Sequence, residues 1–135
     1  MSISVRLSPQ VREEVAAYAT RTRRSFSAAL KDLVELSLRM QRFPGIVFVD
    51  GPAGRRAHLS GTGLDVWEAV QIIGAYQTVD DAVRVFSNLT VPAVQIAQAY
   101  ARTYPDEIGA FIKANESTAR EIEQGRHPWV RAVDA

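Results

Sequence analysis

The first residues of the chain alternate between polar and apolar side chains, as in a half-buried strand, whose successive side chains point to opposite faces. The polar face holds Ser2, Ser4 and Arg6, and the apolar face holds Ile3, Val5 and Leu7. One short strand and the two helices that follow it cannot enclose a core alone, so the apolar face needs a second copy of the chain. The sequence therefore predicts a homodimer that exposes a polar, basic, two-stranded ribbon.

Basic side chains are concentrated in the front part of the chain, although all 135 residues together carry a net charge of only +1. Residues 1–44 hold 8 basic and 4 acidic side chains, a net charge of +4, whereas residues 45–135 hold 8 basic and 11 acidic ones, a net charge of −3. This difference predicts an anionic partner for the front part and another partner for the rear. A chance division of charge over a mixed surface is the alternative.

A second group of residues with binding chemistry stands near the end of the sequence. Arg126 and Arg131 lie on either side of Trp129, and arginine with tryptophan is a combination enriched at interface hot spots. The sequence therefore predicts that the tail, residues 125–135, contacts a protein partner. A frayed terminus is the alternative.

The composition argues against catalysis and against a bound metal. The chain has no cysteine, and its two histidines, His58 and His127, have no metal-ligand spacing. The acidic pairs at 80–81 and 106–107 fall in the first turns of predicted helices, where they complement the helix dipole. The sequence predicts that the chain is not an enzyme and has neither a cofactor nor a metal site.

The sequence also predicts a cytoplasmic protein without membrane contact. No apolar run approaches the roughly 20 residues that a membrane-spanning helix needs. The first residues lack the apolar core of a signal peptide, and a chain without cysteine has no disulfide framework of the kind found in secreted proteins.

Two amphipathic helices are predicted after the strand. Ser8 caps the first, which runs from about 9 to 21 with a proline at its first position. Either Ser25 or Ser27 caps the second, which runs to about 41. The apolar stripe of the second helix is wide enough to cover both the first helix and a dimer mate.

The Phe-Pro-Gly sequence at 43–45 ends this front part, because proline disfavours a helical residue before it. The predicted domains are 1–44, 45–124 and the tail. The second domain opens with a hairpin of residues 46–50 and 55–59, and helices are predicted to begin at 66, 79, 91 and 105. The predicted fold is therefore mostly α, with a short β-hairpin and a helix-turn-helix over 79–103.

Residues 2–41 resemble the ribbon-helix-helix family of bacterial repressors and antitoxins. The resemblance is carried by the alternating strand, by Leu7-Ser8-Pro9 and by Ser25-Phe26-Ser27-Ala28, with Arg23 where the family usually has glycine. It implies that two chains intertwine and that their paired strands enter the major groove of DNA, which is wide enough to admit two strands.

This resemblance assigns the DNA contacts by position. Base contacts would come from Ser2, Ser4 and Arg6, and an arginine can bind guanine O6 and N7 through two hydrogen bonds. Phosphate contacts would come from the start of the second helix and its neighbours, namely Arg23, Arg24, Ser25, Ser27 and Lys31. A solvated edge strand and a solvated turn are the alternatives.

Residues 46–115 resemble the domain-of-unknown-function family four hundred and thirty-three. The motifs are the segment at 59–67, Leu89-Thr90 and Ala99-Tyr100, whereas Gly54-Arg55-Arg56 replaces the usual Gly-Lys-Pro. Such domains are similar to those of VapB-type antitoxins, which pair with PIN-like ribonucleases.

Together the two resemblances imply the antitoxin of a type II toxin–antitoxin pair, a homodimer that binds operator DNA, represses its own operon and neutralises a PIN-like ribonuclease toxin. The toxin contacts would be Arg126, Trp129 and Arg131, with an arginine replacing Mg²⁺ among the carboxylates of the nuclease. The helix-turn-helix at 79–103 lies in the acidic part and is predicted to bind protein rather than DNA. The alternative is a stand-alone transcriptional regulator whose second domain senses a ligand or oligomerises, and the order of any larger assembly with toxin is left open.

Overall fold

The computed structural model describes residues 1–51 and 54–125, and the chain divides into two units after Arg42. The first unit, Met1–Arg42, contains helices α1, Pro9–Thr22, and α2, Phe26–Arg42. The second begins at Phe43 and combines a three-stranded antiparallel sheet with four helices among its described residues. The predicted combination of mostly helical structure and a small hairpin is therefore present.

Capping side chains set the starts of α1 and α2, and both helices end within one residue of their predicted positions. The Ser8 hydroxyl accepts a hydrogen bond from the Val11 amide at 3.3 Å, and the Ser25 hydroxyl accepts one from the Ala28 amide at 3.1 Å. Such bonds satisfy amides that have no partner inside the helix. Of the two serines that could cap α2, the structure selects Ser25, and Ser27 lies inside the first turn.

The core of the first unit is small. Its buried residues are Val15, Tyr18 and Ala19 of α1 and Ala29 of α2, with Leu30 and Leu33 packed against them. Residues 1–8 belong to no helix or strand, so the predicted strand at 2–7 is absent from a single chain. A strand is stabilised by hydrogen bonds to a neighbouring strand, and none lies beside these residues in the part of the chain that the structure describes.

The sheet of the second unit has the strand order β1-β2-β3. The strands are β1, Ile46–Gly51, β2, Gly54–Leu59, and β3, Leu64–Asp65. The β1–β2 hairpin was predicted, whereas β3 was not, because two residues are too few to show an alternating pattern. Ile46, Ala57 and Leu59 point to one face of the sheet and join the core that the helices cover.

Four helices complete that core: α3, Val66–Gly74, α4, Val79–Val85, α5, Val91–Thr103, and α6, Pro105–Glu123. Thr78 and Thr90 cap α4 and α5 through hydrogen bonds from the amides of Asp81 and Ala93, at 3.1 and 3.2 Å. All four helices begin where the sequence predicts, because threonine, aspartate and proline at helix starts are local features.

Helix α5 lies at the centre of the second core. Its residues Val94, Ala97 and Tyr100 are fully buried. The Tyr100 ring meets the Phe43 ring edge-on at 5.2 Å between centroids, and its hydroxyl donates to Glu107 at 2.5 Å. The buried Tyr100 ring and its hydrogen-bonded hydroxyl therefore connect Phe43, at the start of the unit, to α5 and α6.

A buried carboxylate, Asp65, connects the sheet to α3. The Trp67 indole N–H donates to Asp65 Oδ2 at 3.1 Å, and Arg56 Nε forms an ion pair with the same oxygen at 2.9 Å. His58 Nδ1 lies 3.0 Å from Asp65 Oδ1, and the Glu68 carboxylate accepts the backbone N–H of Asp65 at 3.0 Å. Asp65 is 6% exposed, and these partners compensate the cost of burying its carboxylate.

We expect the substitution Asp65→Ala to lower the free energy of unfolding of the second unit by about 2–3 kcal/mol. The change leaves Arg56 without its ion-pair partner and the Trp67 indole without its hydrogen-bond acceptor. Breaking a buried pair costs roughly 3–5 kcal/mol, reduced here because Arg56 and His58 are partly exposed. Urea unfolding followed by circular dichroism measures the loss.

Asp50→Ala is the matched control, since Asp50 is an exposed carboxylate 3.6 Å from Arg55 and should change the free energy of unfolding by less than about 0.5 kcal/mol. Equal losses for the two alanine variants would contradict the role given to Asp65.

Candidate nucleic-acid interface

The residues predicted to contact bases all lie on the surface of the first unit. Ser2, Ser4 and Arg6 are exposed, and so are the apolar residues between them, with Ile3 77% and Val5 71% exposed. The polar and the apolar side chains, which would lie on opposite faces of a strand, are thus all in contact with solvent. The polar face is available to a ligand, whereas the apolar face is left uncovered by the described part of this chain.

A groove lies between this N-terminal segment and the two helices. It is lined by Val5, Arg6, Leu7, Arg12, Ala16 and Phe26. Phe26, at the first position of α2, is 38% exposed, and the groove combines apolar surface with the two arginine side chains. The chemistry of the groove suits an apolar side chain flanked by polar backbone or anionic groups.

The turn between α1 and α2 has an unusual backbone. Arg23 adopts the left-handed conformation, with φ 56° and ψ 45°, and within the described residues it is the one non-glycine residue with a positive φ. The amide of Arg23 donates to the Thr20 carbonyl at 3.2 Å, and that of Arg24 donates to the Ala19 carbonyl at 2.9 Å. This is a Schellman motif, which favours glycine at the left-handed position.

The predicted phosphate ligands beside this turn differ in their surroundings. Arg24 Nη1 forms an ion pair with Asp32 at 2.9 Å, and the Tyr18 hydroxyl donates to the same Asp32 oxygen at 2.5 Å. The Arg21 guanidinium lies 5.5 Å from the centre of the Tyr18 ring. The charge of Arg24 is therefore partly compensated within the chain. No local residue pattern indicates this pairing between α1, the turn and α2.

The start of α2 presents backbone donors next to these side chains. The Ala28 amide donates a hydrogen bond to the Ser25 hydroxyl, and the Ala29 amide donates one to the Ser25 carbonyl. No acceptor for the amides of Phe26 and Ser27 is found within the described residues. Helix amides of this kind, with the positive end of the helix dipole, are suited to binding a phosphate oxygen.

The structure brings Arg23, Arg24, Ser25 and Ser27 together at one turn and one helix start, and Lys31 is exposed further along α2. The predicted toxin contacts, Arg126, Trp129 and Arg131, lie outside the described residues. The helix-turn-helix predicted over 79–103 corresponds to α4 and α5, and it offers little basic surface. Its two arginines are Arg84 and Arg102, each in the last turn of its helix.

No group of three or more histidine, aspartate or glutamate side chains in the described residues could hold a metal ion. Over the same ranges, 1–51 and 54–125, no helix is long and apolar enough to cross a membrane.

Comparison with protein-family models, with curated proteins and with solved structures finds no significant match. The resemblances described above therefore stay predictions. Any functional assignment depends on the geometry of the first unit and on the residue patterns themselves.

The left-handed conformation of Arg23 leads to a stability prediction. Arg23→Gly should raise the free energy of unfolding by about 0.5–1 kcal/mol, because glycine relieves a left-handed strain of about 1–2 kcal/mol but loses more entropy on folding. Arg21→Gly, the same exchange two residues earlier and inside α1, should instead lower it by about 1 kcal/mol. Thermal and urea unfolding of both variants test this, and effects of the same sign would contradict the assigned turn.

Proposed function

We propose that this chain is a homodimeric DNA-binding protein of the ribbon-helix-helix type. The observation that carries the proposal is the exposure of Ile3 and Val5, 77% and 71%, in a segment that alternates with Ser2, Ser4 and Arg6. Pairing this segment with its copy from a second chain would form a two-stranded ribbon. The apolar face of the ribbon would be buried against the helices, and the polar face would point outwards.

The energetics favour this pairing. Fully burying one valine or isoleucine side chain contributes roughly 1.5–3 kcal/mol, and each chain supplies both residues. The uncovered apolar surface continues on α2, where Val34 and Leu38 are 52% and 51% exposed. A unit whose own core contains four buried residues gains much of its stability from such an interface.

The outward face of the ribbon has the chemistry for reading a DNA major groove. Arg6 from each chain supplies a two-donor fork suited to guanine, and the serines supply donors and acceptors of lower selectivity. Arg23 and the Phe26 and Ser27 amides would bind backbone phosphates on either side, and Arg24 would do so while paired with Asp32. Since these are charge contacts, affinity should fall steeply with rising salt.

The second unit is proposed to serve a protein partner, which makes the chain the antitoxin of a type II pair. Support comes from the resemblance of residues 46–115, from the net negative charge of the part after residue 44, and from the arginine–tryptophan pattern of the tail. The partner class is a PIN-like ribonuclease, whose carboxylates attract an arginine side chain. Such a protein would bind the operator of its own operon and repress it.

The DNA half of the proposal is tested by Arg6→Ala. Losing one arginine–base contact in each chain should weaken binding to the operator upstream of the gene by at least roughly 30-fold, since each contact is worth about 1–3 kcal/mol. Fluorescence anisotropy with operator and scrambled duplexes, at two salt concentrations, measures affinity and specificity, and sedimentation checks that the dimer persists.

Arg102→Ala is the control for loss of charge alone, because Arg102 is an exposed arginine in the last turn of α5. It should leave operator affinity within about twofold of the parent. Specific binding retained by the Arg6 variant would count against readout by the ribbon.

The toxin half is tested by co-expression with the neighbouring gene product. If that product is a toxic nuclease, the full chain should relieve its toxicity and co-purify with it, and deletion of residues 125–135 should abolish both effects because the tail supplies the arginines and Trp129. Undiminished neutralisation by the shortened chain would refute the tail contact. Absence of any partner, with stabilisation by a metabolite, would favour the stand-alone regulator.

A further inference from the structure

Strand β1 forms one edge of the sheet. The strand order is β1-β2-β3, and β2 is the one element of the described chain that runs along β1. The Ser60 amide donates to the Gly45 carbonyl at 2.8 Å, and the register pairs Val47 with His58 and Val49 with Arg56. These facts fix which backbone groups of β1 face β2 and which face outwards.

In an antiparallel ladder, hydrogen-bonded and non-hydrogen-bonded pairs alternate. Since Gly45 and Ser60 are hydrogen-bonded, the odd-numbered residues of β1 bond to β2, and the N–H and C=O groups of Phe48 and Asp50 point away from it. The Ile46 amide donates a hydrogen bond to the Phe43 carbonyl at 3.0 Å. The Ile46 carbonyl, like the groups of Phe48 and Asp50, points to the open edge. No backbone partner for the Phe48 or Asp50 groups occurs at this edge within residues 1–51 and 54–125.

This edge lacks the features that usually prevent strands from pairing with other chains. Its sequence from 46 to 49 is Ile-Val-Phe-Val, without lysine, proline or an inward-pointing charge. Val47, Phe48 and Val49 are each half-buried in the single chain. A regular apolar strand with unpaired backbone groups is a template for the addition of another strand.

We propose that β1 pairs antiparallel with β1 of a second copy of this chain, so that two three-stranded sheets become one continuous sheet of the dimer. The inference goes beyond the proposed DNA binding and takes from it only the two-fold dimer. The new contact would join the second units of the two chains. Separately, α2 of the first unit exposes Val34 and Leu38, which a second copy would cover.

The strand is complementary to itself. With Phe48 opposite Phe48 of the second copy at the two-fold axis, the Phe48 groups pair with each other and the Asp50 amide meets the Ile46 carbonyl. Asp50 is the only charged residue between 46 and 51, and in this register it lies opposite Ile46, so no like charges face each other. A two-fold axis perpendicular to the sheet keeps the helices of both copies on the same face.

The absence of cysteine from the chain allows a disulfide test of this register. Val47 would lie opposite Val49 of the second copy in a non-hydrogen-bonded pair, with Cα atoms about 4.5 Å apart, a distance that a disulfide spans. Full-length Val47→Cys and Val49→Cys chains are refolded together, oxidised and run on a non-reducing gel. We expect a cross-linked dimer in the mixture.

Each cysteine variant alone is the control, because identical positions would lie diagonally across the two-fold, about 7–8 Å apart, beyond disulfide reach. Cross-linking in the mixture but in neither single variant supports the pairing. No cross-link in the mixture, or equal cross-linking in all three samples, overturns it. Operator binding by the same chains tests the DNA-binding dimer separately, so either proposal can fail alone.

A second measurement uses the exposed residue at the edge. Asp50→Pro removes the outward N–H and leaves the bonds to β2 intact, because proline is tolerated where the N–H of an edge strand faces outwards. Asp50→Ala is the control, since it removes the same carboxylate but keeps the N–H. Because the bond is lost in both copies, the proline variant should dimerise about tenfold more weakly than the alanine variant by sedimentation or subunit exchange. Equal dissociation constants would overturn the proposal.

Discussion

The first unit cannot bury its own apolar residues, and this constraint governs the organisation of the chain. Two helices enclose a core of four buried residues, while Ile3, Val5, Val34 and Leu38 stay largely exposed. Apolar surface of this extent would be stabilised by burial against a second molecule. The proposed pairing would cover the apolar face of the N-terminal segment and turn its polar face outwards, so dimer formation and DNA recognition would share one physical cause.

The second unit is held together differently, by a self-sufficient core around Tyr100 and by the buried Asp65. The carboxylate fixes the sheet to α3 through charges and hydrogen bonds, and the aromatic contacts of Tyr100 fix the start of the unit to α5. Its open edge at β1 would let this unit take part in the proposed dimer.

Local chemistry explains how much of this fold the sequence predicts. Every helix start follows from a capping side chain or a proline, as at Ser8, Thr78, Thr90 and Pro105, because caps act over three or four residues. The hairpin follows from an apolar run bounded by glycine and proline. The strand β3 and the selection of Ser25 over Ser27 could not be predicted, since both depend on the path of the backbone. In the candidate site, the basic turn was predicted, but the pairing of Arg24 with Asp32 was not.

The sequence alone determined the alternation of residues 2–7, the uneven charge and the order of the elements, because these depend on neighbouring residues. Tertiary structure decided which groups face one another across the chain. It made Asp65 a buried partner of Arg56, His58 and Trp67 and placed Arg23 in the left-handed region. It also set the register that leaves the outward groups of β1 unpaired. Such contacts join residues that are far apart in the chain, such as Tyr18 and Asp32 or Phe43 and Tyr100, and no local pattern of residue types encodes them.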